Sequence, residues 1–306
     1  MDNVNDFFAT LSSCLWGWPM IILLLGTHIF LTIRLRFPQR KLFTAIRLSV
    51  QRDKSLKGDV SQFGALATAL AATIGTGNII GVATAVALGG PGAVFWCWLT
   101  GVFGISTKYS EALLAIKYRV KSKRGTMQGG PMYTLERGLG WRKMGILFAL
   151  FTAIAAFGIG CTVQANAIST IMHASYGIST EVSGGVLMLL AAAVIIGGVR
   201  SISKVCSMLV PFMALLYVLG CIYILCVNAS YVAPALKLIV CSAFSPDAAG
   251  GGFAGASVIM AARYGIARGL FSNESGLGSA PIVAAAARTK HPVRQALVSS
   301  TGTFWD

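Results

Sequence analysis

Charge is scarce in this chain. Of its 306 residues only 11% are Asp, Glu, Lys or Arg, against roughly 25% in ordinary soluble domains, and the mean hydropathy is +0.72. So little polar surface cannot cover a water-soluble globule of this size, and the composition points to an integral membrane protein. The marks of a catalyst are missing as well. Only three histidines occur, and neither GxSxG with a histidine partner nor HExxH is present, so nothing supports a hydrolase. His28 and His173 have no second histidine or carboxylate at metal spacing, and no metal ligand set can be named. Seven cysteines include no CxxC and mostly lie inside apolar stretches. There they read as small packing residues rather than as ligands or a disulfide framework. A basic leader is also absent from the N-terminus, and the first apolar run exceeds a signal-peptide core, so it reads as a retained helix.

What is present is apolar length. Long stretches lie near residues 12–35, 62–88, 92–116, 144–172, 182–199, 205–229 and 251–287. Crossing about 30 Å of hydrocarbon as a helix takes about 20 residues. The stretches are apolar all round, without the alternation of a β-barrel strand, so a helical bundle in a lipid bilayer is expected. Of the 25 basic residues, 21 are clustered: eight between Arg34 and Lys57, eight between Lys117 and Lys143, then Arg200, Lys204, Arg288, Lys290 and Arg294. These connections alternate with base-poor ones, including 173–181 and 230–250, which is the positive-inside pattern with the N-terminus outside. Nucleic-acid binding would need a folded basic surface interleaved with aromatics, and none is visible, so no nucleic-acid partner is expected. MYTLERGLGW, within the second basic connection, reads as a short interfacial helix.

Two stretches interrupt themselves. ATIGTGNIIGVATA (72–85) puts two glycines, a threonine and an asparagine in the middle of a 27-residue apolar run, and residues 251–287 contain GLFSNESGLGSAP. Both compositions are poor helix material. Counting 12–35 as an extra helix, they fall on core helices 1 and 6, which cross in opposite directions, as an inverted repeat with a midplane site requires. An unwound helix in lipid exposes backbone groups at several kcal/mol each unless something satisfies them. A bound solute and ion can do so, half-helix N-termini favouring a carboxylate and free carbonyls a cation. A dinucleotide fingerprint fails in GTGNIIG because its sixth position is Ile80. Gly77 and Gly81 form GxxxG, so close helix packing is the rival reading there, although it leaves the four hydrogen-bonding positions of the Asn78 amide unexplained. Gln164, in AAFGIGCTVQANAIST, is either an interhelical hydrogen bond or a ligand contact. Glu274 is either functional, a helix cap, or the partner of Arg263 or Arg268 in a buried salt bridge, and Glu111 beside Lys108 reads as a structural pair.

The run GTGNIIGVATAVALGGPGAVFWCWLTGVFGISTKYSEALLAIKYR, followed by GGPMYTLERGLG and GLFSNESGLGSAP, resembles the alanine or glycine:cation symporter family along nearly the whole chain. The resemblance implies an all-α integral membrane protein with the five-plus-five inverted-repeat transporter fold of the amino acid/polyamine/organocation type. It implies sodium-coupled symport of L-alanine or glycine across the cytoplasmic membrane, with the sodium ion as coupling ion. By the same resemblance Thr76, Gly77 and Asn78 fall on the unwound helix 1, Gln164 on a pocket-lining position of helix 3, and Phe271, Ser272 and Asn273 on the helix 6 break, Phe271 being a lid over a small side chain. The expected organisation is a single transmembrane domain over 1–306, with the extra helix at 12–35, a first repeat at 62–229 and the start of a second at 251–306. The family pattern leads one to expect further helices after TGTFWD, hence a fold truncated after core helix 6 and a fragment without transport activity. A channel or a non-transporting membrane receptor is the alternative, for which polar faces along several helices would be expected.

Overall fold

The structure, a computed structural model, describes residues 2–51, 58–244 and 258–306. The chain opens with α1 (Asp2–Leu15) and α2 (Trp18–Arg34). The single helix expected over 12–35 is thus interrupted at Trp16 and Gly17. Pro19, in the first turn of α2, has no N–H and would press its ring on the carbonyl four residues back, so α1 cannot run through. After α3 (Leu42–Val50) comes α4 (Gln62–Thr73), started by the Ser61 hydroxyl, which accepts the Gly64 N–H at 2.9 Å. Helical order lapses at Ile74 and Gly75, resumes as a wide turn over Gly77–Gly81, and continues as α5 (Val82–Gly89), bent by 47° from α4. The break expected at GTGN is there, displaced by one residue toward Ile74.

Next come α6 (Gly92–Lys117), a two-stranded hairpin of β1 (Val120–Lys121) and β2 (Met127–Gln128), and α7 (Pro131–Gly138), the helix expected in MYTLERGLGW. Helix α8 (Arg142–Ala155) passes through a second wide turn, Ala156–Thr162, into α9 (Val163–Tyr176). It is followed by α10 (Thr180–Ile195), α11 (Gly198–Val227) and α12 (Ala229–Ser242). The last of these corrects the expectation of a loop over 230–250. SYVAPALKLIV is apolar on most sides of a helix, and Lys237 alone does not prevent helix formation. The remaining elements are α13 (Val258–Asn273), α14 (Ala280–Ala285), α15 (Pro292–Ser300) and α16 (Gly302–Trp305). Residues 251–257, the start of the last expected stretch, lie outside the described residues.

Among the described residues three helical runs are long and apolar enough to cross a membrane: Asp6–Arg34, Arg142–Tyr176 and Gly198–Val227. The bent α4–α5 pair makes a fourth if taken as one span. The side chains of the first three are turned outward, at most 11% of the most apolar window of each being buried, whereas α4 buries most of its residues. An apolar exterior of this extent, with Leu189, Leu190, Leu216 and Ile224 all exposed, suits lipid and not water.

Helix α6 is the axis of the molecule, touched by α2, α5, α13, α14 and α15. Ala261, Ala262, Gly265, Ile266, Gly269, Leu270 and Asn273 form the buried face of α13, at the spacing of one helical stripe. At Gly265 an added Cβ would collide with the Ala93 carbonyl, and at Gly269 with the Thr100 hydroxyl. This is the GxxxG pair that seats one helix on another. The Gly77–Gly81 pair is not: a Cβ at Gly77 meets open space, and at Gly81 only the Arg268 side chain from 3.5 Å. Gly269→Ala should therefore cost about 1–3 kcal/mol by overpacking, whereas Gly77→Ala should stay within about 0.5 kcal/mol. Thermal unfolding in detergent compares them, and equal losses would refute the assignment.

The two interrupted helices run side by side in opposite directions. Near one end of the pair Asp59 and Val60 donate backbone hydrogen bonds to the Ala286 carbonyl, and Arg288 donates to Val60 at 2.7 Å. At the other, Gly89 abuts Met260, Ala261 and Tyr264.

Candidate functional site

Because α4–α5 and α13–α14 are antiparallel and broken at the same level, their irregular segments face each other. The structure places the seven sequence-derived residues around two neighbouring clefts. One, of about 490 Å³, is lined by Thr76, Gly77, Gln164, Phe271 and Ser272. The other, of about 530 Å³, is lined by Asn78, Ser272 and Asn273. Ser272 borders both. Volumes of this order suit small ligands.

In the first cleft the Thr76 hydroxyl donates to Gln164 Oε1 at 2.9 Å. Gln164 stands one residue into α9, just after the wide turn at Ala156–Thr162. Wide turns of this kind often mark functional positions in helices, and here one begins just after Thr76 and the other ends two residues before Gln164. The interhelical reading of Gln164 is thus realised, with the residue still facing the cleft. Phe271 has its ring edge-on to Trp16, centroids 5.9 Å apart, while the Arg268 guanidinium lies over the same ring at 5.9 Å. The interruption between α1 and α2 is what brings Trp16 there.

In the second cleft the Asn78 amide works in both directions. Its Oδ1 accepts the Gly75 N–H at 3.3 Å, and its Nδ2 donates to the Asp306 Oδ1 and to the Asp306 carbonyl, each at 3.0 Å. The Ser272 hydroxyl donates to Asp306 Oδ2 at 3.3 Å. A carboxylate thus joins the two broken helices. Sequence reasoning passed over Asp306, although an acid next to the apolar residues Phe304 and Trp305 was the available signal.

Glu274 does not pair with Arg263 or Arg268. Its Oε2 accepts a short hydrogen bond from the Ser279 hydroxyl, and the two arginines lie over the Tyr264 and Phe271 rings. Nor is there an ion pair between Lys108 and Glu111 among the described residues. The Lys108 ammonium donates instead to the Asn273 carbonyl at 2.5 Å.

The basic end of the bundle is stitched separately. Arg119, just past α6, donates through Nη1 to the Ala285 and Ala287 carbonyls at 3.0 and 2.8 Å, and through Nη2 to Thr289 at 2.9 Å. Burial pulls its guanidinium below the ordinary arginine range, and Asp59 opposes that pull. Asp59, itself buried, accepts the Met127 N–H at 2.6 Å and lies 3.6 Å from Arg200.

This arrangement coincides with strong likeness to known proteins. An uncharacterized transporter of Haemophilus influenzae is 53% identical over 306 residues, covering 99% of this chain and 67% of that protein. The sodium/alanine symporter AgcS of Methanococcus maripaludis is 53% identical over 313 residues, covering 100% and 68%. The putative sodium/proton-dependent alanine carrier protein YrbD of Bacillus subtilis is 42% identical over 301 residues, covering 98% and 61%. The chain thus spans about two thirds of the length of these curated relatives. The match to the sodium:alanine symporter family runs through residues 1–306, and the chain belongs to that family.

Proposed function

We propose that the two clefts form the substrate and ion site of a sodium-coupled symporter for a small neutral amino acid, alanine or glycine, in the cytoplasmic membrane. The observation that carries this reading is the meeting of two antiparallel, interrupted helices at Thr76–Asn78 and Phe271–Asn273, with Asn78 and Ser272 both turned to the Asp306 carboxylate. The names of AgcS and YrbD, both alanine carriers by description, support the substrate class. Backbone freed at the breaks and the Thr76–Gln164 pair would receive the amino-acid head group. Phe271, backed by Trp16, would close over a short side chain. The Asp306 carboxylate and the Ser272 hydroxyl would offer the oxygens and negative charge that a hard cation takes, with the Asn78 amide orienting the carboxylate. In the inverted-repeat reading, α4–α5 begins one repeat and α13–α14 the next. Rocking one bundle against the other would expose the site alternately, sodium supplying the differential free energy.

The test is calorimetric titration of the purified protein with alanine in sodium and in choline buffer. Binding at least about tenfold tighter in sodium, about 1.4 kcal/mol, is expected. Equal affinity in both buffers would remove sodium coupling, and no binding of alanine or glycine would remove the substrate class. The orientation is part of the same proposal: the N-terminus lies outside and the hairpin carrying Ser122 inside. A single cysteine at position 122 in a cysteine-free background should label only after the membrane is opened, and strong labelling in sealed cells would reverse the topology.

A further inference from the structure

Helix α6 sends two ionisable side chains, one turn apart, to the break between α13 and α14, and neither touches the clefts described above. Lys108 is 3% exposed. An ammonium taken out of water costs several kcal/mol unless strong partners replace the lost hydration. Its partner is the backbone carbonyl of Asn273, the last residue of α13, at 2.5 Å. A helix C-terminus carries unsatisfied carbonyls and partial negative charge, so a cation there is favourable. Three residues along α6, the Glu111 carboxylate lies on the side of Gly276 and Gly278, and its buried Oε2 has no hydrogen-bond partner.

Between those two points the chain turns sharply. Glu274, Gly276 and Gly278 have φ of +51°, +91° and +83°, left-handed values that cost a non-glycine residue such as Glu274 of order 1–3 kcal/mol. The turn also leaves backbone donors and acceptors without helical partners. Residues three apart on a helix share a face, so one face of α6 supplies a cation to the carbonyl end of the break and turns a carboxylate toward the side where its freed amides lie. The Ser279 hydroxyl on Glu274 completes the enclosure.

We propose that Lys108 and Glu111 are positioning residues for the candidate site. They hold the α13–α14 break in its turned conformation and thereby fix where Ser272 and Asn273, at the end of α13, stand toward the clefts. The part concerning ligand affinity rests on the amino-acid reading of the site; the part concerning the break does not.

Two measurements on the intact protein separate these parts. Hydrogen exchange of residues 272–279 reads the break directly, and calorimetry with alanine reads the site. In Lys108→Met, which keeps the side-chain length without the charge, exchange over 272–279 should quicken by about tenfold or more, consistent with loss of a charge-assisted hydrogen bond. Segments α8 and α9 should be unaffected, and alanine affinity should fall by a similar factor while thermal stability changes less. Glu111→Gln should quicken exchange at Gly276 and Gly278 by a smaller factor. A folded Lys108→Met protein with unchanged exchange at the break overturns the proposal. So does a uniform increase along the whole chain, which would signal general loosening. If Lys108→Met does not fold, Glu111→Gln decides in the same way, unchanged exchange at the two glycines overturning it. Quickened exchange in a protein whose unmodified form binds no alanine would sustain the positioning role and reject the substrate reading.

Discussion

Asn78→Ala should abolish measurable amino-acid binding and leave the protein folded. The Asn78 amide joins the α4 break to Asp306, donating at 3.0 Å to its Oδ1 and to its backbone carbonyl, while its oxygen holds the Gly75 N–H at 3.3 Å. The contact to the charged Oδ1 is worth about 1.5–3 kcal/mol and the one to the backbone carbonyl about 1 kcal/mol; without them Asp306 loses this tie to the α4 break, and affinity for a ligand held between the two should fall about 100-fold. The fold should lose only what these internal hydrogen bonds contribute, a few kcal/mol at most, because the tight helix contacts are at Gly265 and Gly269 and the adjoining Gly77 faces open space. Calorimetric titration of alanine with the variant and its parent, together with thermal unfolding of both, separates the outcomes. Unchanged affinity with lowered stability would mean that the amide serves packing alone.

The two breaks were legible because glycine, asparagine and serine in an apolar run have no cheap explanation other than an interruption. Their meeting followed from counting spans: helices 1 and 6 cross oppositely, and Val60 beside Ala286–Ala287 with Gly89 beside Ala261 is what that arrangement produces. Gln164 was legible as a polar residue among small ones. Other features were hidden for physical reasons. Pro19 lies within an apolar run that hydropathy alone does not interrupt, so the division between α1 and α2, and with it the contact of Trp16 with Phe271, was missed. Lys237 disguised α12 as a loop. Basic residues at span ends satisfy the positive-inside pattern whatever they touch, so the pattern did not reveal that Arg119 clasps three carbonyls. Lys108 beside Glu111 suggested a mutual pair, since proximity in sequence says nothing of a break arriving from residues 273–278.

Arg119→Met should loosen the basic end of the bundle more than any other single change there. One guanidinium ties the Ala285, Ala287 and Thr289 carbonyls together at the end of α14. The same stretch is stitched to Asp59 and Val60 ahead of α4. Gly58 permits that approach: its φ is +141°, and an added Cβ would lie 2.5 Å from the Ala287 carbonyl oxygen. Methionine fills the volume but offers no donors, leaving three acceptors to find water. Discounting for partial exposure, the loss should be about 2–4 kcal/mol, which corresponds to a drop of roughly 5–10 °C in apparent Tm for a protein of this size. Arg119→Lys keeps the charge without the planar fork and should recover no more than about half of the loss. If this end opens to pass substrate inward, a cysteine placed at Val60 should also label faster from that side in the methionine variant. A Tm within about 1 °C of the parent, with Val60 labelling unchanged, would show that the stitching between residues 58–60 and 286–288 holds without the guanidinium.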